Sequence, residues 1–149
     1  MSNLPNEIFA VPDWTQLIRV SVRLSVAALL GGCIGFERQR EHKAAGLRTH
    51  ILVAMGAALF VIAPLESGMT ISDASRVFQG IATGIGFIGA GTILKLTDQQ
   101  EIKGLTTAAG LWLTAAVGMA VGSGLVWIPL VATLLAFLIL FVLAPAEQR

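Results

Sequence analysis

Five apolar stretches, separated by short polar connections, organise this chain. Between Gly104 and Ala146 no Asp, Glu, Lys or Arg occurs across 43 residues, enough for two membrane crossings of about 20 residues each. Val77–Leu94 and Ile51–Leu65 are further runs without charge. The pattern predicts an all-α membrane protein, a five-helix transmembrane bundle with spans at Leu17–Phe36, Thr49–Leu65, Ser75–Leu94, Leu105–Val121 and Leu125–Ala144. Residues 17–144 then form one domain, with an external segment at 1–16 and a cytoplasmic tail at 145–149. Pro64 and Gly68 in "APLESG" close the second span, and "GSG" at 122–124 is a tight turn before the fifth. Pro129 is tolerated in the first turns of that helix.

Composition agrees. Of 149 residues, 55% are hydrophobic and 13% charged, with a mean hydropathy of +0.79; a soluble domain carries roughly 25% charged residues. A net charge of +1 offers no field for nucleic acid. The single Cys33 stands in an apolar helix and reads as a small packing side chain rather than a reactive thiol. The first sixteen residues contain Glu7 and Asp13 but no Lys or Arg, the reverse of a basic signal-peptide start. Basic residues set the expected orientation. Arg38, Arg40, Lys43, Arg48, Lys95, Lys103 and Arg149 fall on one side and only Arg76 on the other, which puts the first and third connections and the C-terminus in the cytoplasm. The N-terminus is then outside, with Phe9 and Trp14 resting on the outer surface.

"GIGFIGAG", residues 84–91, spells G-x-G-x-x-G through Gly84, Gly86 and Gly89. A dinucleotide site needs a strand before the first glycine and an acid about 20 residues further on. Here the preceding "SDASRVFQGIAT" reads as a helix starting into a membrane, and Ala108 to Leu111 stand where the acid belongs. No dinucleotide is expected. In lipid, helices associate by close backbone approach, which small residues permit. Gly80 with Gly84, and Gly86 with Ala90, give two small faces on one helix. With Gly89 and Gly91 they mark the third span as the crowded centre of the bundle. In the first span Arg19, Arg23, Ala27, Gly31 and Gly35 recur every four residues on one stripe. Arg23 lies about 9 Å deeper than Leu17 and needs an acceptor; Asp73 and Glu66 are the candidates. Asp73 and Arg76 share the glycine face of the third helix. The expectation is that helices one and three pack together with Arg23 and Arg19 directed at Asp73. That cluster, with Gln79 and Thr83 on a neighbouring face, is either a structural ion pair or an ion or proton site. Asp73 has a competing role as a helix cap.

The polar stretch "GFERQREHKAAGLRTH" places Glu37 and Arg38 where the first helix leaves the membrane and Arg48, Thr49 and His50 where the second begins. Gly46-Leu47-x-Thr49 recurs as Gly104-Leu105-x-Thr107 at an offset of 58, and Gly31 falls on Gly89 at the same offset. A parallel repeat of two helical hairpins and chance similarity among Ala/Gly/Leu-rich segments both account for this. Helix N-termini at Thr49 and Thr107 would favour an anion, a headgroup or Glu37. His42 and His50 lack metal-ligand spacing, and no dedicated metal motif or cofactor site is present.

"GFERQREHKAAGLRTHILVAMGAALF", "QGIATGIGFIGAGTIL" and "IKGLTTAAGLWLTAAVGMAVG", in this order, resemble the MgtC/SapB family of bacterial inner-membrane proteins over residues 17–144. The resemblance implies a multi-pass protein of the inner membrane. Family members include a virulence factor needed at low Mg²⁺, first suspected of transporting Mg²⁺ and better described as binding and restraining the proton-driven ATP synthase. Many relatives carry an ACT-like C-terminal domain in the cytoplasm. This sequence ends at "APAEQR", so that domain and its functions are not expected here. Residues matching the family motifs are Glu37, Arg38, Gly46, Leu47, Arg48 and Thr49, then Gln79, Gly80, Gly84, Gly86, Gly89 and Gly91. The implied partners are the lipid bilayer and another membrane protein, with a homodimer expected. The implied role is non-enzymatic regulation of membrane energetics and ion homeostasis. The competing role is a small Mg²⁺ or proton transporter or channel working as a homo-oligomer.

Overall fold

The computed structural model describes residues 13–96 and 101–143. Five helices account for most of them: α1 (Trp14–Arg40), α2 (Leu47–Glu66), α3 (Ser75–Ala90), α4 (Leu105–Gly122) and α5 (Trp127–Leu143). Between α3 and α4 lies a two-stranded antiparallel hairpin, β1 (Leu94–Leu96) and β2 (Glu101–Lys103), pairing Leu94 with Lys103 and Leu96 with Glu101. Three helices, α1, α2 and α4, are long and apolar enough to cross a membrane, and α5 is a shorter apolar helix. The protein is an all-α membrane protein. Phe9 and Ala144, which the sequence places at its two ends, lie outside the described residues.

Helix ends follow local chemistry. Gly68 adopts φ +93° after α2, and the Met69 N–H reaches back to the Pro64 carbonyl. Gly124 adopts φ +88° after α4, with Leu125 N–H on the Ala120 carbonyl. Both are left-handed glycine closures of a helix C-terminus. The third helix ends at Ala90 instead of running to Leu94 as its apolar sequence suggested. The Thr92 hydroxyl turns back to the Gly89 carbonyl at 2.7 Å, and the chain leaves the helix for the hairpin. Gly104, at φ +98°, closes that hairpin so tightly that a Cβ there would lie on the Thr92 carbonyl oxygen.

The core sits where α1, α2 and α4 touch. Ala27 and Leu30 of α1, Ala54, Ala58 and Ile62 of α2, and Val117 and Val121 of α4 form one buried cluster. Glycines set the spacing. A Cβ on Gly31 would sit 2.7 Å from Ala54 Cβ, and one on Gly35 2.8 Å from His50 Cβ. On α4 a Cβ at Gly118 would lie 2.2 Å from the Ala54 oxygen, and one at Gly122 2.7 Å from the Ala58 oxygen. Real Cβ atoms do not approach that closely, so these four positions require glycine for backbone contact. The paired positions rise together along α2 and α4, which therefore run parallel.

Two expectations are corrected. The third span is not the crowded centre: only Ile85 and Gly89 of α3 are buried. Gly80, Gly84 and Gly86 have nothing within 4 Å of where a Cβ would stand, and Gly91 meets only carbonyls of its own last turn. Nor do helices one and three pack together. The first helix rests on α2, α4 and α5, while α3 leans mainly on α4. The physical reason is that Gly31 and Gly35 already seat α2 against α1. Gly118 and Gly122 then seat α4 on α2, which leaves α3 the periphery. Gly89 does keep a helix contact, 3.5 Å from Ala108 Cβ. At the repeat offset of 58, Gly89 and Ala108 correspond to Gly31 and His50, which also touch. The two hairpins α1–α2 and α3–α4 thus share an internal contact.

Candidate functional site

Charged and polar groups gather at three places. At the end of the bundle where α2 and α4 finish, Glu66 faces two arginines, Arg19 at 3.8 Å and Arg23 at 4.0 Å. Arg23 Nη1 also donates to the Gly122 carbonyl at 3.3 Å. This guanidinium therefore meets the negative end of the α4 dipole as well as a carboxylate. Asp73 is not its partner. The Asp73 carboxylate accepts from the Thr70 hydroxyl at 2.6 Å, whose oxygen in turn takes the Asp73 N–H at 3.2 Å, in the connection before α3. Ala74, not Asp73, stands at the cap position of α3. Because α3 is peripheral, Asp73 never comes under α1; the last residue of α2 does.

At the opposite end a polar knot is enclosed between α1, α2 and α4. Glu37 and Arg38, 5% and 2% exposed, pair with each other. Arg38 Nη2 donates to Glu37 Oε1 at 2.7 Å, and Arg38 Nε donates to Oε2. Neighbours in sequence do not ordinarily face each other on a helix. The arginine's length lets it fold back on the last turns of α1, making a neutral two-pronged pair. His50 is fully buried beside them, near enough to feel both charges. Its Nδ1 lies 3.0 Å from the Gly46 carbonyl; a carbonyl only accepts, so Nδ1 carries a proton, and in the neutral ring Nε2 is the acceptor. That Nε2 points toward α4, 3.5 Å from where a Cβ on Gly110 would be. Thr107 and Thr114 are buried on the same helix, and the Thr114 hydroxyl donates to the Gly110 carbonyl at 2.8 Å. Arg38 Nη1 and His50 Nε2 have no hydrogen-bonding partner within the described protein.

Several expectations at this end change. Both oxygens of Glu37 accept from Arg38, and among the described residues no bond from a helix N-terminal N–H to Glu37 accompanies them. The Leu47 N–H at the start of α2 goes instead to Gln39 Oε1 at 3.3 Å. Gly46 and Gly104 stand at the cap positions of α2 and α4, and as glycines neither supplies a side-chain cap. Arg48 and Thr49 line a groove between α2 and α3 rather than joining the knot. Among the described residues no group of three His, Cys, Asp or Glu is placed to hold a metal. Sequence reasoning set His50 aside once metal spacing failed; its position four residues after Gly46, at a helix start, was the available signal. Gly118-x-x-x-Gly122 was an overlooked signal for the α2–α4 contact.

The third place is the outer face of α3. Arg76, Gln79, Thr83 and Gly86 follow the three-and-four spacing of one helical stripe, and all four are exposed. Among the described residues none of the three polar side chains has a hydrogen bond or ion pair. The expected cluster of Arg19, Arg23, Asp73, Arg76, Gln79 and Thr83 is thus three separate groups.

Comparison with known proteins fits these motifs. The MgtC family pattern matches residues 24–149. Protein SrpB of Synechococcus elongatus is 45% identical over 139 residues, covering 86% of this chain and 75% of SrpB. The putative magnesium transporter YhiD of Escherichia coli K12 is 45% identical over 126 residues, 80% of this chain and 58% of YhiD. Protein MgtC of Brucella abortus is 47% identical over 136 residues, 91% of this chain and 56% of MgtC. The matched stretch spans little more than half of the last two. No solved structure matches the chain. With the family pattern covering its buried knot, its glycine contacts and all but the start of its helices, this chain belongs to the MgtC family and is a multi-pass membrane protein.

Proposed function

We propose that the chain is a non-enzymatic regulator in the bacterial inner membrane. It holds another membrane protein, of the proton-driven ATP synthase kind, against the outer face of α3 and so tunes membrane energetics and ion homeostasis. One observation carries this reading: the unpartnered stripe of Arg76, Gln79 and Thr83 beside Gly86. Thr83 stands about 12 Å into a helix about 24 Å long, the depth at which polar groups most need a partner. A glycine beside them lets a foreign backbone come close. In this reading the hairpin end, rich in Arg38, Arg40, Lys43 and Arg48, faces the cytoplasm. The test is co-purification from membranes in mild detergent. Retention of the ATP synthase membrane sector that falls more than tenfold for the Gln79→Leu/Thr83→Leu double variant, with thermal unfolding unchanged, supports the reading. Retention equal in both proteins, or absent in both, contradicts it.

A second reading is a small cation carrier working as a homo-oligomer. It is favoured by the name of the relative YhiD and by the same stripe, which would line a path if copies met along α3. Reconstituted protein that moves Mg²⁺ or protons across liposomes, and stops doing so in the double variant, selects this reading over the first.

A further inference from the structure

We propose that the groove between α2 and α3 is a binding site for one anionic phospholipid, with Arg48 on its phosphate and an acyl chain along the groove. The groove encloses about 850 Å³, within the 300–1,000 Å³ usual for small-molecule sites. Gly56 of α2 and Gly80 and Gly84 of α3 line it, and each has nothing within 4 Å of its would-be Cβ. Elsewhere in this molecule glycines bring helices together: at Gly31, Gly35, Gly118 and Gly122 a Cβ would strike a neighbour. Those of the groove face open space instead. Apart from Arg48 and Thr49, every lining residue is apolar or glycine. Arg48 is exposed at the α2 start and has no ion pair or hydrogen bond among the described residues.

An occupant that satisfies this surface has an anionic head and a long apolar body. The α2 wall runs from Arg48 to Phe60, about 18 Å at helical rise. One leaflet of hydrocarbon is about 15 Å deep. An acyl chain anchored at Arg48 therefore lies in the groove without leaving its own leaflet by more than a few ångströms. A phosphatidylglycerol headgroup keeps its negative charge for the guanidinium, whereas phosphatidylethanolamine neutralises its own phosphate. This site lies on the opposite side of α3 from the stripe of Arg76, Gln79 and Thr83, so either can fail without the other.

Native mass spectrometry of the full chain, exchanged into micelles with equal phosphatidylglycerol and phosphatidylethanolamine, tests the proposal. One phosphatidylglycerol is expected to stay bound in preference to phosphatidylethanolamine. Arg48→Gln is expected to weaken that preference about tenfold, as loss of one charge-assisted contact does. Gly84→Leu, which fills the groove and leaves Arg48 in place, is expected to expel the lipid while thermal unfolding is retained. Equal retention of the two lipids by the unaltered protein overturns the proposal. So does phosphatidylglycerol that survives Gly84→Leu, and so does a second protein copy bound in place of lipid.

Discussion

A Cβ placed on Gly118 would lie 2.2 Å from the backbone oxygen of Ala54. The helices α2 and α4 are in backbone contact there, and the oxygen has no flexible end that could swing aside. Gly118→Ala is therefore expected to destabilise the fold by about 1–3 kcal/mol, the range for overpacking a tight contact. Gly56→Ala, on α2 but facing the open groove toward α3, is expected to be neutral or to stabilise by about 0.5–1 kcal/mol through helix propensity. Denaturant unfolding in mixed micelles distinguishes the two.

The Glu37–Arg38 pair is enclosed, so its members are expected to depend on each other. Arg38→Met strands a buried carboxylate and is expected to cost about 3–5 kcal/mol. Adding Glu37→Gln to it removes the stranded charge and is expected to restore most of that loss. A double-mutant cycle on unfolding free energies measures the coupling; additive losses would show that the two residues act independently.

The arginines at the other end differ in kind. Arg19 and Arg23 reach Glu66 only at 3.8 and 4.0 Å, with side chains 50% and 25% exposed. Glu66→Gln is expected to cost no more than about 1 kcal/mol, as half-exposed pairs do. Asp73→Asn is expected to leave Arg23 undisturbed, because Asp73 answers to Thr70. Spin labels reporting the α1–α4 distance near Arg23 and Gly122 check this: movement with Asp73→Asn and none with Arg23→Leu would reverse the assignment.

Gly104 joins a left-handed backbone to a position where a Cβ would lie far inside van der Waals contact with the Thr92 oxygen. Gly104→Ala is expected to unlock the hairpin and the start of α4, at a cost of at least about 1–3 kcal/mol for the strained backbone alone. Hydrogen exchange at the β1–β2 pairing and in the first turn of α4 is the readout; protection equal to that of the unaltered protein would contradict it.

How much was legible in the sequence follows from what each signal encodes. Long apolar runs with few or no charges report solvent, so all five helices and their turns at Gly68 and Gly124 were readable. The stripe through Gly31 and Gly35 reports a small face, and that face carries α2. A small face does not say which helix it meets. Gly80 and Gly84 have the same spacing as Gly31 and Gly35, yet a Cβ on either would meet nothing within 4 Å, and their α3 sits outside the core. That one ambiguity also misplaced Arg23's partner, since Asp73 travels with α3 and Glu66 with α2. The end of α3 was hidden because Gly91-Thr92-Ile93-Leu94 is as apolar as the helix before it; the Thr92–Gly89 bond decides the turn. His50 was hidden for a different reason. Burial among Glu37, Arg38 and Gly110 is a tertiary fact that no spacing in one helix reveals.

The most direct measurement is site-specific photo-crosslinking in native membranes from Thr83 on the α3 stripe, with Leu138 on the exposed face of α5 as the comparison. A discrete adduct with a membrane subunit of the proton-driven ATP synthase from Thr83, and only lipid from Leu138, is the expected result. Lipid adducts alone from both positions would mean that the α3 stripe faces the bilayer, and the regulatory reading would fall.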